Sequence, residues 1–234
     1  MSIDNSLLRI AQGGACFLRL YRWAPPCLSF GRNEPAAQRY DRAAIEKLNL
    51  DTVRRPTGGR AVWHDAEATY SVAAPASTFG SLRETYNIIH ATISSALRRL
   101  GVDTTLAGRP SGRVSALDAG ACFAAPVGGE VITAKGKLVG SAQVREGGAF
   151  LQHGSVLLED RQDVVTKVTR GHCTQRASTS LSALLGRTVP FDEVVDVIVT
   201  QAKGAWGGEW RNGWAEVLAD DAARFGDPTW TWHR

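Results

Sequence analysis

The stretch from Ser81 to Leu100 constrains the fold most, because Leu82, Tyr86, Ile89, Ile93, Leu97 and Leu100 fall on one stripe of a helix. Ser81 and Glu84 form a capping box at its start, and Gly101 stops it. A helix with one apolar side needs a second layer to cover it. The stripe therefore reads as core rather than as a cofactor site, and His90, beside it, reads as structural. Strand-like segments on both sides supply the layer. Phe17 to Trp23 alternates, with Leu18, Leu20 and Arg22 on one face and Phe17, Arg19, Tyr21 and Trp23 on the other, until Pro25-Pro26 breaks it. Leu138 to Arg145 and Ala149 to Leu158 read as a hairpin turning at Gly147-Gly148. Strands surrounding a long helix predict an α/β (α+β) domain, a mixed sheet flanked by helices.

The remaining segments fit that plan. Ser2 to Ala11 has helical spacing at Ile3, Leu7 and Ile10 and stops at Gly13-Gly14. Cys27 to Phe30 resumes strand character and ends in the turn Gly31-Arg32-Asn33. Asp41 caps a helix to Leu48, and Thr52-Val53 is a strand. Ala61-Val62-Trp63 and Thr69 to Val72 are predicted to form a hairpin with each other. Asp103 to Leu106 and Glu130 to Thr133 are strands, and Ala107 to Gly120, rich in Gly, Ser and Arg, reads as a mobile surface loop of the kind that closes over substrates. Asp163 to Thr169 and Leu181 to Leu185 are short helices, and Pro190 starts a firmer one. The region from Trp206 onward holds five of the seven tryptophans and reads as core around a last helix ending at Gly226, with a partner surface as the alternative. At 234 residues the chain is expected to be one catalytic domain, 1–234, without a separate C-terminal accessory domain.

Composition excludes several classes. There is no apolar run of membrane-spanning length and no secretory pattern at the N-terminus, so a cytoplasmic location is expected. The net charge of +4 is spread over scattered arginines rather than a basic stripe, which argues against nucleic acid and suits acidic protein partners. Cys16, Cys27, Cys122 and Cys173 show neither a Cys-x-x-Cys pair nor zinc spacing, so reduced thiols and no metal site are expected. Gly136-Lys137 is followed by Leu138 and lacks the hydroxyl that a P-loop requires.

Two motifs carry chemistry. Arg54-Arg55-Pro56-Thr57-Gly58-Gly59-Arg60-Ala61-Val62-Trp63-His64-Asp65, running on to Tyr70-Ser71, joins two cations, a turn and a glycine pair; its backbone can approach a ligand while guanidinium groups hold an anion or thioester oxygen. Lys137-Leu138-Val139-Gly140-Ser141-Ala142-Gln143 leads into Leu151-Gln152-His153-Gly154-Ser155. Together these resemble the signature of the lipoate-protein ligase and octanoyltransferase family, relatives of biotin protein ligase. The resemblance implies that the basic loop (Arg54, Arg55, Thr57, Gly58, Gly59, Ala61), His64, Tyr70, Ser71, Gly140, Ser141, Ala142, His153 and Gly154 bind the acyl substrate. It also implies that Lys137 is catalytic, and it places Gly31 to Asn33 near the acyl pocket, with Glu34 where the family often has Gln. The Gly-Arg-Gly-Arg loop of biotin ligation is missing.

Cys122 decides between two mechanisms. In the octanoyltransferase branch that the chain resembles, a Cys-Phe upstream of Lys-Leu-Val-Gly-Ser-Ala-Gln is the acyl-carrying nucleophile, and Cys122-Phe123 stands fifteen positions before Lys137. A nearby ammonium lowers a thiol's pKa and steadies an oxyanion, and a neutral Lys137 is placed to take the acceptor's proton. This reading needs no cofactor. Its donor is octanoyl-acyl carrier protein, and its acceptor is a lipoyl domain of a 2-oxoacid dehydrogenase or glycine-cleavage H protein. The alternative, an ATP-dependent lipoate-protein ligase, needs ATP and Mg and uses Lys137 on the acyl carboxylate and α-phosphate. A non-catalytic lipoyl-domain-binding subunit is a third reading, and Cys173 beside His172 is a second, weaker thiol.

Overall fold

The computed structural model of the protein describes residues 1–108, 128–171, 178–213 and 222–233. Cys122, His172 and Cys173 lie outside the described residues, as does the predicted substrate-closing loop beyond residue 108. The centre is a four-stranded antiparallel sheet in the order β1 (Phe17–Tyr21), β5 (Glu67–Pro75), β10 (Ala149–Leu157), β9 (Val139–Glu146). Its register places Ser71 opposite Arg19 and His153, and Gly154 between Tyr70 and Ser141.

Alternation along the strands sends side chains to two different surroundings. Tyr70, Val72 and Ala74 of β5 and Phe150 and Val156 of β10 face one way, onto Ile89, Ile93 and Leu97 of α4 (Leu82–Arg99) and Val194 and Ile198 of α7 (Phe191–Trp206). Each fully buried aliphatic side chain there stabilises the fold by roughly 1.5–3 kcal/mol. Ala73, Ala149 and Leu151 face the other way, onto Leu7, Leu8 and Ala11 of α1 (Ser2–Ala11). The helix α4 has the capping box that its sequence predicts, although Leu82 at the end of the stripe is exposed.

A smaller mixed sheet carries the basic loop. In it β2 (Cys27–Phe30) pairs parallel with β3 (Asp51–Arg54) and antiparallel with β4 (Val62–His64). The crossover between the parallel strands holds α2 (Ala36–Arg39) and α3 (Arg42–Lys47), the latter capped by Asp41. The expected hairpin between residues 61–63 and 69–72 is corrected by this pairing: the chain turns at Asp65-Ala66, and β4 and β5 enter different sheets. The physical reason is burial. Strand β5 is covered on both faces and fits only the middle of the large sheet, whereas the three-residue β4 is anchored by α5 (Asp163–Val168) and by Gln162, which bonds both backbone groups of Trp63.

A third, short sheet of β6 (Thr105–Leu106), β7 (Val131–Thr133) and β8 (Gly136–Lys137) lies beside α4. Beyond α6 (Leu181–Leu185) and α7, the short helices α8 (Ala222–Gly226) and α9 (Pro228–Thr231) return to the small sheet, where the Trp230 indole donates to the Arg54 carbonyl and Trp232 packs on Phe30. The tryptophans of these helices are thus packing residues. No helix among the described residues is long and apolar enough to cross a membrane.

Candidate active site

The basic loop closes against the face of the large sheet that carries α1. Between them is a narrow cavity whose walls include Arg55, His64, Gly140, Ala142, His153 and Ser155. Residues predicted from three separate segments therefore meet there, and Ser141 and Gly154 complete the wall.

The two arginines do different things. Adjacent strand residues point to opposite sides. Arg54 is fully buried and turned away from the cavity: its Nη1 donates to the carbonyls of Gly31 at 2.6 Å and Glu34 at 2.8 Å, and its Nε to Thr231 at 2.9 Å. The anion-holding role expected of Arg54 finds no support in this geometry; the side chain ties the Gly31 turn to α9. Arg55 faces the cavity, but its donors hold the loop itself, with Nε and Nη2 on the Gly58 carbonyl, Nη2 on Arg60 O at 2.6 Å, and Nη1 on Ser29 Oγ at 2.9 Å. It thus presents a fixed positive charge at the wall. The loop's conformation requires glycine at two points. Gly59 has φ +93°, and a Cβ on Gly31 would meet the Gly59 carbonyl oxygen at 1.9 Å. Around Gly58 the space is open, so a ligand can approach that backbone, and Ala61 is buried below. Glu34, the departure from the family's usual Gln, is buried and accepts from Tyr40 Oη at 2.6 Å and Gly31 N at 3.2 Å, which makes it a support of the turn.

Two imidazoles line the cavity, His153 from the large sheet and His64 from the small one, each between a hydroxyl and a carboxylate. His153 Nδ1 faces Asp4 Oδ2 at 3.3 Å and Nε2 faces Thr57 Oγ1 at 2.6 Å. His64 Nδ1 faces Glu67 Oε1 at 2.8 Å and Nε2 faces Ser29 Oγ at 2.7 Å, with the ring stacked on Trp23. A carboxylate accepts only, so each Nδ1 carries a proton. The order hydroxyl, imidazole, carboxylate is that of a nucleophilic triad, but Thr57 and Ser29 are completely buried and their hydroxyls are engaged; they are struts between loop and sheet. Asp4 is the hub of one group. It accepts from Arg19 at 2.7 Å, Tyr21 at 2.9 Å and Ser71 at 3.0 Å as well as from His153. Burial alone would raise its carboxyl, but the His153 hydrogen bond, the amino group of Met1 and Arg19 outweigh it and hold it well below the usual carboxylate range. Burial pushes the His153 imidazole down, against the pull of Asp4, so it stands neutral. Glu67 collects Thr69, Ser155 and His64 in the same way.

Lys137 does not line this cavity. It is buried on β8, its Nζ 2.8 Å from Glu130 Oε1, with both side chains 2% exposed. Tyr70 also faces α4 rather than the basic loop, and Ser71 faces Asp4. Gly154 admits not a ligand but a neighbour: a Cβ there would lie 2.3 Å from Ser141 Oγ and 2.7 Å from Tyr70 Cε1, so its absence lets Tyr70 reach across β10 and bond Ser141 at 2.7 Å. His90 joins this group, with Nε2 2.8 Å from Ser141 Oγ. Asp4, Ser29, Glu67, Glu130 and His90 were not singled out as functional from sequence. Among the described residues no group of His, Cys, Asp and Glu is arranged to hold a metal ion.

Comparison with known proteins decides the family. The model of the lipoyl protein ligase A/B catalytic domain matches residues 1–203. The chain belongs to the lipoyl protein ligase A/B catalytic-domain family. Among curated members, the octanoyltransferase LipM of Kyrpidia tusciae is 44% identical over 179 residues, which cover 73% of this chain and 65% of that one. The LipM of Moorella thermoacetica is 37% identical over 215 residues, covering 85% of this chain and 78% of its own length. The chain thus spans about two thirds to three quarters of these relatives. Among solved structures, lipoate-protein ligase A bound with ATP superposes with a TM-score of 0.81 at 21% identity, covering 99% of this chain and 92% of the other. A bipartite lipoate protein ligase from Thermoplasma acidophilum gives 0.77 at 20% identity, covering 99% and 89%. At that identity the likeness establishes the family's shared fold.

Proposed function

We propose that the protein is an acyltransferase that moves an octanoyl group from acyl carrier protein to a lysine of a lipoyl domain or of glycine-cleavage H protein, in the making of protein-bound lipoate. The observation that carries the reading is the 44% identity to a protein named as an octanoyltransferase, together with Cys122-Phe123 standing ahead of Lys137. The solved ligase structures speak to fold alone, so the ATP-dependent alternative gains no specific support from them.

In this reading the Cys122 thiolate attacks the carbonyl of the donor thioester. The carrier sulfur leaves with a proton, and the octanoyl group stays on Cys122. The acceptor amine then attacks the enzyme thioester, an amide forms, and the Cys122 thiolate returns while the amine's surplus proton passes to solvent or a base. No ATP or Mg enters, because a thioester is already activated. Lys137, fixed by Glu130, is the cation offered to the oxyanion of each tetrahedral intermediate. Arg55 adds a positive field at the wall, and His153 and His64 shape the slot for the chain. The net charge of +4 suits acidic carriers and acceptors, and a working thiolate suits a cytoplasmic setting.

The test is a reconstitution with octanoyl-carrier protein and an unmodified lipoyl domain in the absence of ATP. Octanoylation of the acceptor lysine is expected. Modification that requires ATP and free octanoate or lipoate would assign the ligase reaction instead.

A further inference from the structure

We propose that His90 is a positioning residue for acyl transfer, its ring protonated on Nδ1 and bare on Nε2, locking Ser141 and the segment that holds Lys137 into one arrangement. This rests on the reading of Lys137 as the cation of an acyl-transfer centre. Gly129 O lies 2.8 Å from His90 Nδ1, and a carbonyl accepts only, so Nδ1 carries the proton. The ring is completely buried, edge-on to Tyr86 at 4.2 Å, and burial pushes its pKa down to about 3, helped by the charge of Lys137. A neutral ring protonated on Nδ1 has a bare Nε2, which accepts from Ser141 Oγ at 2.8 Å.

Every further proton then follows. Because the Ser141 hydrogen points to His90, the Tyr70 hydroxyl donates to Ser141 Oγ at 2.7 Å. Tyr70 accepts from Gln152 Nε2 at 3.2 Å, and Gln152 Oε1 accepts from Gln143 Nε2 at 3.1 Å. The chain thus runs one way, from Gln143 on the edge strand to the Gly129 carbonyl. Its end matters, because Gly129 immediately precedes Glu130, whose carboxylate holds Lys137 Nζ at 2.8 Å. His90 is therefore the joint between β9, which carries Gly140 to Ala142, and the Glu130–Lys137 ion pair. One ring thus fixes both the β9 segment and the ion pair, and the Ser141 hydroxyl is fully engaged, its hydrogen on His90 and its oxygen accepting from Tyr70.

The first test needs no substrate. Ring-15N-labelled protein is examined by long-range 15N–1H spectra between pH 5 and 8, and His90 is expected to show a protonated Nδ1 and a bare Nε2 throughout. A ring protonated on Nε2, or one that titrates within that range, overturns the proposal. The second test is transfer from octanoyl-carrier protein by His90→Leu and His90→Gln. Leu removes both ring functions and is expected to lower kcat by about 100-fold with little change in KM, the size expected for misplaced groups. Gln, with one donor and one acceptor, is expected to recover most of that loss. Equal activity of the two variants, or a loss in Leu that only follows its unfolded fraction, overturns the proposal. Since the tautomer is read without turnover, failure of the acyl-transfer reading is told apart from failure of this one.

Discussion

The two faces of the β1–β5–β10–β9 sheet carry polar clusters built on different principles. On the face toward α1 and the basic loop, each histidine is held by a carboxyl group: His153 by Asp4 and His64 by Glu67, with Arg19 and Arg55 nearby. On the face toward α4, Gln143, Gln152, Tyr70, Ser141 and His90 form a chain of neutral hydrogen bonds that meets charge only at its far end, in Glu130 and Lys137. The charged cluster gains its rigidity from Coulombic attraction in a medium of low dielectric, and so fails abruptly when one member is lost. The neutral chain gains its order from direction, and so loses function before it loses stability.

That contrast predicts unequal responses to mutation. Asp4→Ala leaves His153, Tyr21, Ser71 and Arg19 facing a buried hole, and the unfolding free energy should fall by about 3–5 kcal/mol in denaturant titration. Gly154→Ala places a methyl group in the passage between Tyr70 and Ser141; it should cost about 1–3 kcal/mol, and octanoyl transfer should fall further than stability does. A loss of stability alone would show that the Tyr70–Ser141 contact is not part of the working site.

The pH dependence separates the carboxylate from the imidazoles. Asp4 has a folded pKa below its ordinary 3.8, so its contribution is complete above that value and is lost only in stronger acid. His90 and His153 have folded pKa values below the ordinary 6.5, so theirs is complete above pH 6.5 and is lost as pH falls, for His90 down to about 3. Between pH 6 and 4 the histidines therefore dominate. His90→Gln should flatten the fall of unfolding free energy there by about 1.4 kcal/mol per pH unit, one proton's worth. An unchanged slope would mean that His90 is already charged in the fold. The smallest effect belongs to Ser141→Ala, which removes a neutral link and should cost only about 1–2 kcal/mol by thermal or denaturant unfolding.

The sequence showed the walls of this site better than its hubs. The long helix, the β9–β10 hairpin and the Asp41-capped helix were legible because each rests on local signals: a stripe, a glycine turn, a cap. Asp4 was not, since its partner His153 is 149 residues away, and in a short amphipathic helix an aspartate looks like ordinary solvent-facing polarity. His90 read as a bystander because its neighbours on the helix are apolar; its partners come from β9 and the residues before β7. The division between Arg54 and Arg55 was in principle readable, because neighbours on a strand point apart, but which one faces the cavity depends on where α9 packs. The mistaken hairpin has the same origin. Two strand-like runs joined by a short turn look paired until burial on both faces draws one of them into another sheet.

The most direct test of the account is the intact mass of the protein after incubation with octanoyl-carrier protein and no ATP, for wild type and Cys122→Ala. The account predicts an added octanoyl mass on wild type alone, lost when a lipoyl domain is supplied and recovered on that domain's lysine. Absence of the adduct, with acceptor modification that depends on ATP and survives Cys122→Ala, would contradict it.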